Sequence, residues 1–432
     1  MFKKFWDEKF ETMNETAMKT FQLEKLKETV KWVYDRVPFY KKAFDDKGVK
    51  PSDLQKLEDL AKFPFTVKTD LRDNYPFGLC AVPMADVVRV HASSGTTGKP
   101  ITGPYTAEDL DQWTECMARG LWAQEVRPDS IIQNAYGMGL FTGGLGFHQG
   151  ATRIGCAVVP AGAGMTERQI MLIQDFGCNA LCCTPSYCLT IIEKAEKMGI
   201  DIKKTALRTG HFGAEPWSVE MRNDIEKRGG IHAYEHYGLT ELGGPGISFT
   251  CEYYQIHINE DHVYPEIVDP ETLEPVAEGE EGELIFTALQ RRAMPMIRYR
   301  TRDICSLRKE KCKCGRTLIT MDKILGRSDD MMIISGVNVF PSQVETVLME
   351  FAEVEPQYQI RLGKKGYIDH ITVETELKKH LYDEGAEKTA GIAKRISERI
   401  HQVIGINVPV NILAPDTIER SIGKAKRIID ER

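Results

Sequence analysis

The sequence predicts an α/β protein with a large N-terminal domain, containing parallel sheets and a β-rich subdomain, and a small, mobile α+β C-terminal domain. Two observations support this class. Strand-like runs alternate with helical runs between residues 87 and 250, a pattern typical of parallel strands joined by right-handed crossovers. Short strands without intervening helices follow from residue 251, and the pattern changes again near residue 326.

The composition excludes several classes of protein. Hydrophobic residues make up 42% of the 432 residues and charged residues 28%, which excludes wholesale disorder. With 56 basic and 63 acidic residues, the net charge of −7 predicts no nucleic-acid binding. The longest uncharged stretch, residues 130–152, is rich in glycine and amides, so we expect no membrane span. No secretory signal is visible, and eleven cysteines without a disulfide spacing predict a cytoplasmic location with free thiols.

The N-terminal domain is predicted to cover residues 1–326 and the mobile C-terminal domain residues 327–432. Within the first, we expect a helical start at 1–60, an α/β segment at 87–250 and a β-rich segment at 251–326. The helical start is indicated by apolar residues at helical spacing, namely Leu23, Leu26, Val30 and Val33. Thr106 with Asp109, and Thr166 with Gln169, each have the spacing of a helix capping box.

Three glycine-bearing loops follow predicted strands and are expected to converge at one sheet edge. One loop, SSGTTGKP, has the donors and the cation that bind phosphate, although it resembles a solvated turn equally well. It is not a Walker A loop, because Ser93 and Pro100 stand where that pattern needs Gly and Ser or Thr. Its candidate ligands are Ser93, Ser94, Gly95, Thr96, Thr97, Gly98 and Lys99. The other two loops are GAEP, from Gly213, and YGLTELGG, from Tyr237.

A resemblance to a known family rests on five motifs, which occur along the chain in this order: SSGTTGKP, YGLTE, RYRTRD, GRSDDMMIISGVNVFPSQVE and SIGKAKR. Together they resemble the adenylate-forming acyl-CoA synthetase family, and PFTVKTDLRDNYPFGL and AYGMGLFTGGLG resemble its phenylacetate–CoA ligases. The resemblance extends from about residue 64 to the C-terminus. It implies ATP-dependent ligation of an aryl acid, with phenylacetate leading, to coenzyme A through an acyl-adenylate, with Mg²⁺ as a cofactor and AMP and pyrophosphate as products.

The resemblance also assigns roles around the nucleotide. The phosphate loop would hold the β- and γ-phosphates, while Thr240 and Glu241 would serve Mg²⁺ and the α-phosphate. Asp303 would take the ribose hydroxyls, with a strand-end cap or a surface ion pair as the alternative. The residues expected to flank adenine are Gly213, Ala214, Glu215 and Tyr237, with a core aromatic as the alternative for Tyr237. Gly238 is a further residue expected to bind the nucleotide.

Three further residues are assigned to the domain movement that the resemblance implies. Lys424 would bridge the substrate carboxylate and the phosphate; Lys426 is the rival, but Gly423 favours Lys424. Asp329 would be the hinge, and Arg327 would reach the nucleotide from the same loop. In a second arrangement of the domains, SGVNVFP would border the channel for the pantetheine of coenzyme A.

The acid pocket is assigned to four residues. Tyr136 and Phe141 lie in a glycine-rich stretch able to form a flat aromatic slot, and Lys68 corresponds to a lysine beside the substrate. His236 departs from the aliphatic residue expected next to the adenine tyrosine. A polar ring there favours a hydroxylated or heteroaromatic acid, unless His236 points away and hydrogen-bonds a neighbour.

A second kind of site is indicated in the β-rich segment. Cys312 and Cys314 form a tight thiol pair, and Cys251 and His257 supply another sulfur and an imidazole. These four groups form a tetrahedral set for structural Zn²⁺, with Cys305 as a rival ligand and free thiols as the alternative.

Two other functions remain open at this stage. One is an adenylating enzyme that loads the thiol of a carrier protein, which only acceptor assays separate from a coenzyme A ligase. The other is a non-catalytic sensor of acyl-nucleotides, which need not keep Lys424, Glu241 and Asp303 together. A homodimer is expected from the resemblance.

Overall fold

The computed structural model describes residues 2–93, 100–329, 332–334, 337–365, 368–420 and 425–431. The chain begins with four helices, of which the second carries the predicted apolar stripe on its buried face. A two-stranded antiparallel hairpin follows them. These elements are α1 (Glu8–Glu11), α2 (Glu15–Arg36), α3 (Pro38–Lys47), α4 (Lys68–Asp73), β1 (Arg89–Ala92) and β2 (Thr102–Tyr105).

The predicted alternation of strands and helices forms the centre of the N-terminal domain. Five of its strands are parallel, in the order β4, β3, β5, β6, β7. The elements are α5 (Ala107–Ala123), β3 (Ile131–Asn134), α6 (Thr142–Ile154), β4 (Ala157–Val159), α7 (Thr166–Asp175), β5 (Ala180–Cys183), α8 (Pro185–Lys197), β6 (Thr209–Gly213), α9 (Val219–Gly229) and β7 (His232–Leu239).

The remaining strands of this domain are antiparallel. Four of them extend the parallel sheet to nine strands, and the other four form a separate sheet. The large sheet gains β8 (Gly244–Thr250), β9 (Ile256–Ile258), β13 (Leu307–Arg308) and β14 (Thr320–Met321). The separate sheet contains β10 (Val263–Val268), β11 (Gly282–Ala288), β12 (Tyr299–Cys305) and β15 (Gly326–Arg327).

The C-terminal part has a hydrophobic core of its own, drawn from residues 332–408. A four-stranded sheet in the order β20, β19, β18, β21 carries the helices α10 and α12 against it. The elements are β16 (Met332–Ile334), β17 (Val337–Val339), α10 (Pro341–Met349), β18 (Val354–Lys365), β19 (Ile368–Leu377), α11 (Lys379–Tyr382), α12 (Ala386–Ile404), β20 (Val410–Leu413) and β21 (Ile428–Asp430). The separate core supports a small domain, while its boundary at residue 326 stays a prediction.

The two predicted capping boxes have different outcomes. Thr106 Oγ1 accepts a hydrogen bond from the Asp109 N–H, and the Asp109 carboxylate accepts one from the Thr106 N–H, so the first box is confirmed. The second prediction is wrong, because Met165 occupies the N-cap of α7 with a φ of 50°. The Gln169 amide donates instead to the carbonyls of Gly162 and Gly164, which fastens the loop before the helix.

The hairpin corrects the prediction for the phosphate loop. β1 pairs with β2 and not with the parallel sheet, so residues 93–101 connect antiparallel strands. Ser93 closes this connection: its N–H donates to the Ile101 carbonyl (2.8 Å), and its Oγ accepts from the Ile101 N–H (2.9 Å). A Cβ added at Gly103 of β2 would lie 3.3 Å from the Thr240 carbonyl oxygen, so the hairpin still packs beside the YGLTE turn.

Candidate active site

The loops after β6 and β7 lie side by side, because these two strands are parallel neighbours. Gly213 ends β6, and a Cβ there would lie 2.4 Å from the His236 carbonyl oxygen, so only glycine fits. Ala214 follows with a φ of 74°, in the left-handed region. This turn directs the next residue, Glu215, away from the sheet edge toward the C-terminal domain.

The Glu215 carboxylate joins three parts of the chain. Its Oε1 accepts a hydrogen bond from the Ser186 N–H at the start of α8 (2.9 Å), and its Oε2 accepts one from the Ala425 N–H (2.8 Å). Ala425 directly follows Lys424 in the sequence. Lys424 lies outside the described residues, as do Ser94, Gly95, Thr96, Thr97, Gly98 and Lys99, yet its neighbour in the chain is held at the GAEP turn.

Tyr237, Asp303 and Arg327 form a continuous polar chain. The Tyr237 hydroxyl donates to Asp303 Oδ2 (2.5 Å), and Arg327 Nη1 lies 3.4 Å from Asp303 Oδ1. Strands β12 and β15 place Asp303 and Arg327 opposite each other in register. Arg327 also forms a bidentate pair with Asp329, with Nε–Oδ1 and Nη2–Oδ2 distances of 2.9 Å each. The predicted ribose, nucleotide and hinge residues are therefore in direct contact.

Burial changes the acid–base behaviour of this chain. It is the largest cause that raises the pKa of Asp303 to about 6, against the lowering effects of Tyr237 and Arg327. Burial also raises the pKa of Tyr237 well above its usual value, and the adjacent Asp303 adds to this. Asp303 thus carries a negative charge at neutral pH beside a phenol that stays protonated.

Thr240 and Glu241 lie in a tight turn directly after β7. Glu241 is buried and its Oε1 accepts a hydrogen bond from the Tyr299 hydroxyl (3.2 Å). The Arg291 guanidinium stabilises the turn, because its Nη1 donates a hydrogen bond to the Glu241 carbonyl (3.0 Å). Gly238 permits the turn, because a Cβ there would lie 2.0 Å from the Gly244 carbonyl oxygen.

The two aromatic residues predicted for the acid pocket, Tyr136 and Phe141, have different surroundings. Tyr136 stacks on Phe147 of α6, with ring centroids 5.0 Å apart and an interplanar angle of 8°, and its hydroxyl donates to the Gly213 carbonyl (3.4 Å). Phe141 is 51% exposed at the start of α6, and Lys68 is the partly buried first residue of α4. Phe147 was not predicted as a site residue, because one aromatic in a glycine-rich helix carries no distinguishing motif.

His236 lies behind this stack. Its ring meets the Phe147 ring edge-on at 4.9 Å, and its Nε2 donates to Gln124 Oε1 (2.8 Å). Burial lowers the pKa of His236 to about 3, so the ring is neutral at physiological pH. The sequence left open the alternative that His236 hydrogen-bonds a neighbour. The contact with Gln124 is of this kind.

Cys251, His257, Cys312 and Cys314 meet in a second site, with all four ligand atoms within 4.8 Å of one another. The Cys251 and Cys312 sulfurs are 3.8 Å apart, and Cys314 Sγ is 3.5 Å from His257 Nε2. A tetrahedral zinc ion requires separations of about 3.8 Å and about 3.5 Å for such pairs. Cys305, the rival ligand, does not belong to the cluster found among the described residues.

The surroundings of the cluster orient its ligands. His257 Nδ1 lies 3.4 Å from the Leu318 carbonyl, which directs Nε2 toward the sulfurs. The pKa of Cys314 is lowered, chiefly because the Cys251 thiol donates a hydrogen bond to it, and His257 adds to this effect. The chain around Cys314 also carries Arg316, whose Nε forms a buried ion pair with Glu11 Oε2 (2.7 Å). The cluster therefore packs directly on the N-terminal segment.

Comparisons with known proteins place the chain in a family. Residues 11–290 match the AMP-binding enzyme family, and residues 336–432 match the C-terminal domain of AMP-binding enzymes. The chain belongs to the AMP-binding enzyme family. Curated relatives named phenylacetate-coenzyme A ligase are 49% identical in Aromatoleum evansii, covering 98% of this chain and 97% of the relative, and 47% identical in Escherichia coli, covering 98% and 97%.

Solved structures agree with this fold and add information on the domains. A 2-hydroxyisobutyryl-CoA ligase in the postadenylation state superposes with a TM-score of 0.95 at 26% identity, covering 100% of this chain and 93% of that one. The same ligase in the thioesterification state, with the same coverage and 27% identity, gives 0.74. The C-terminal domain of this chain is therefore arranged as in the postadenylation state of that ligase. No helix in the described part of the chain is long and apolar enough to cross a membrane.

Proposed function

We propose that this protein ligates an aryl acid, most favourably phenylacetate, to coenzyme A at the expense of ATP. The observation that carries the proposal is the contact of Glu215 with the Ala425 N–H, which holds the segment of Lys424 against the turn expected to bind adenine. The choice of acid rests on the curated relatives named phenylacetate-coenzyme A ligase, which cover nearly the whole chain.

The reaction proceeds in two half-reactions. In the first, a carboxylate oxygen attacks the α-phosphorus of ATP, and pyrophosphate leaves. In the second, the thiol sulfur attacks the acyl carbon, AMP leaves with the former carboxylate oxygen, and the thiol proton passes to solvent. Both steps need aligned donors and cations more than a protein nucleophile, so none of the eleven cysteines is required as a nucleophile.

The nucleotide is held by the residues that meet at the sheet edge. Asp303, ionised at neutral pH, accepts hydrogen bonds from the ribose hydroxyls, and Tyr237 lies against adenine. The Glu241 carboxylate, fixed by Tyr299, and the Thr240 hydroxyl offer oxygen ligands of the kind Mg²⁺ prefers. Mg²⁺ would neutralise phosphate charge. The phosphate loop and Lys424 supply further donors and a cation.

The second half-reaction follows a rotation of the C-terminal domain about Asp329. This rotation moves Lys424 away from the nucleotide and brings the SGVNVFP segment to the pantetheine channel. Ser335 and Gly336 of this segment lie outside the described residues. Asp329 pairs with Arg327, so the proposed hinge directly adjoins a residue that this proposal assigns to the nucleotide.

Structural Zn²⁺ is the metal proposed for the cluster of Cys251, His257, Cys312 and Cys314. Three sulfurs and one imidazole complete a tetrahedral shell without an open position, which suits a structural site and not a catalytic one. A homodimer and a cytoplasmic location remain part of the proposal, on the resemblance and on the cysteine usage respectively.

A screen of pyrophosphate release with aryl and fatty acids, each with and without coenzyme A, tests the function. We expect phenylacetate to give the highest kcat/KM and coenzyme A to sustain turnover. Transfer to a phosphopantetheinyl carrier protein in preference to coenzyme A would favour the carrier-loading alternative. Absence of pyrophosphate release with every acid would contradict the proposal in favour of a sensor.

A further inference from the structure

Partly or fully buried carboxylates accept hydrogen bonds across the junction between the two domains. Besides Glu215 with Ala425, two such contacts lie away from the nucleotide residues: Glu345 with Ser218, and Glu193 with Gln357. The Glu193 and Glu345 side chains are both buried, and so are Ser218 and Gln357. We call the contacts of Glu345 and Glu193 the junction contacts.

Glu345 reaches from α10 of the C-terminal domain to the start of α9 in the N-terminal domain. Its Oε1 accepts from the Ser218 N–H (2.7 Å), while its Oε2 accepts from the Tyr358 hydroxyl within its own domain (3.0 Å). Ser218 is the N-cap of α9, where the helix dipole favours a negative charge. This contact is buried, and its two partners stay together only while the two domains keep this arrangement.

Glu193 lies on α8 of the N-terminal domain and contacts the C-terminal domain. Its Oε1 accepts from Gln357 Nε2 (3.1 Å), and its Oε2 lies 3.6 Å from Arg420 Nε. Arg420 precedes Lys424 by only four residues in the sequence and pairs with the buried Glu376 (2.8 Å). Glu193 therefore holds both the C-terminal sheet and the segment that leads to Lys424.

We propose that Glu345 and Glu193 are positioning residues for the adenylation half-reaction. They act through the C-terminal domain, because they hold it where the Lys424 segment lies against the GAEP turn. This inference rests on the proposed function. It names the residues of this chain that set how long the adenylation arrangement persists before the domain rotates.

The junction contacts are buried, whereas another pair between the two domains is exposed to solvent. Lys197 and Asp416 also form an ion pair across the junction (2.9 Å), but their side chains are 59% and 63% exposed. Water and salt screen such a pair, and its loss is nearly neutral. Loss of the buried Glu345 leaves the buried Ser218 N–H without this acceptor, which disfavours the present arrangement of the domains relative to any other.

The experiment measures the two half-reactions separately in the full-length Glu345→Ala variant. We expect pyrophosphate release to fall about 10-fold or more, while conversion of supplied acyl-adenylate to acyl-CoA stays unchanged or rises. Hydrogen exchange of the peptide that contains Ser218 should accelerate. Glu345→Gln, which keeps an acceptor at this position, should restore much of the adenylation rate.

Two matched controls separate positioning from damage to the fold. Tyr358→Phe removes the partner of Glu345 inside the C-terminal domain, and Lys197→Gln removes the exposed junction pair. Lys197→Gln should stay within about 2-fold of the wild type in adenylation. Tyr358→Phe keeps Glu345 and its contact with Ser218, so it should lose less adenylation activity than Glu345→Ala. Equal loss of both half-reactions in Glu345→Ala, or an equally large loss in Tyr358→Phe, would overturn the proposal. Absence of pyrophosphate release in the wild type would instead refute the proposed function, while exchange at Ser218 would still test the contact.

Discussion

Replacement of Lys424 with alanine should abolish pyrophosphate release and leave the conversion of supplied acyl-adenylate to acyl-CoA largely intact. The reason is that the lysine neutralises charge only between the carboxylate and the α-phosphate, and then moves away with the C-terminal domain. Removal of a positioned charge from a transition state costs about 2–4 kcal/mol, or roughly a hundred- to a thousandfold in rate. Stopped assays of each half-reaction measure both effects.

Lys426 offers a matched control, because it lies two residues further on and is exposed. Lys426→Ala should retain both half-reactions. Asp329→Pro should show the reverse of Lys424→Ala, with accumulated adenylate and slow acyl-CoA formation, because a locked φ at the hinge opposes rotation. Equal loss of both half-reactions in Lys424→Ala and Asp329→Pro would contradict the two-arrangement mechanism.

The second large effect is expected at the metal cluster. The double variant Cys312→Ser, Cys314→Ser should contain no stoichiometric zinc, because a hydroxyl is a poor zinc ligand compared with a thiolate. Its Tm should fall by about 3–10 °C, since the cluster anchors the N-terminal segment through Arg316 and Glu11. Metal analysis and thermal unfolding measure the two results.

Cys305→Ser is the matched control, because Cys305 is buried like Cys314 but stands outside the cluster. It should keep its zinc. If the wild type, purified with zinc present, contains none in stoichiometric amount, the zinc assignment is wrong.

Local periodicity and residue chemistry predicted much of the fold. The alternation between residues 87 and 250 corresponds to the parallel strands β3 to β7 and the helices between them. The hairpin of β1 and β2 was missed, since a four-residue strand carries no information on which partner it joins. Thr166 was misassigned because Gln169 has better partners in the preceding loop, which only the folded chain supplies.

The sequence likewise predicted some contacts of the candidate site and not others. The types of residue, cysteine and histidine, predicted that Cys251, His257, Cys312 and Cys314 would lie together, and the structure shows this cluster, for which zinc is the proposed ion. Glu215 was expected beside adenine, but its contact with Ala425 depends on where the C-terminal domain lies. Phe147 and Gln124 act on Tyr136 and His236 through packing between distant segments, and no local pattern marks such a partner.

The central claim, an acyl-adenylate intermediate, is tested most directly with phenylacetate labelled with ¹⁸O in both carboxylate oxygens. One of these oxygens bonds to the α-phosphorus in the first half-reaction and departs with it when the thiol attacks the acyl carbon. We therefore predict, by mass spectrometry, one ¹⁸O in the AMP, one in the acyl-CoA and none in the pyrophosphate. Unlabelled AMP, or label in pyrophosphate or inorganic phosphate, would contradict the account.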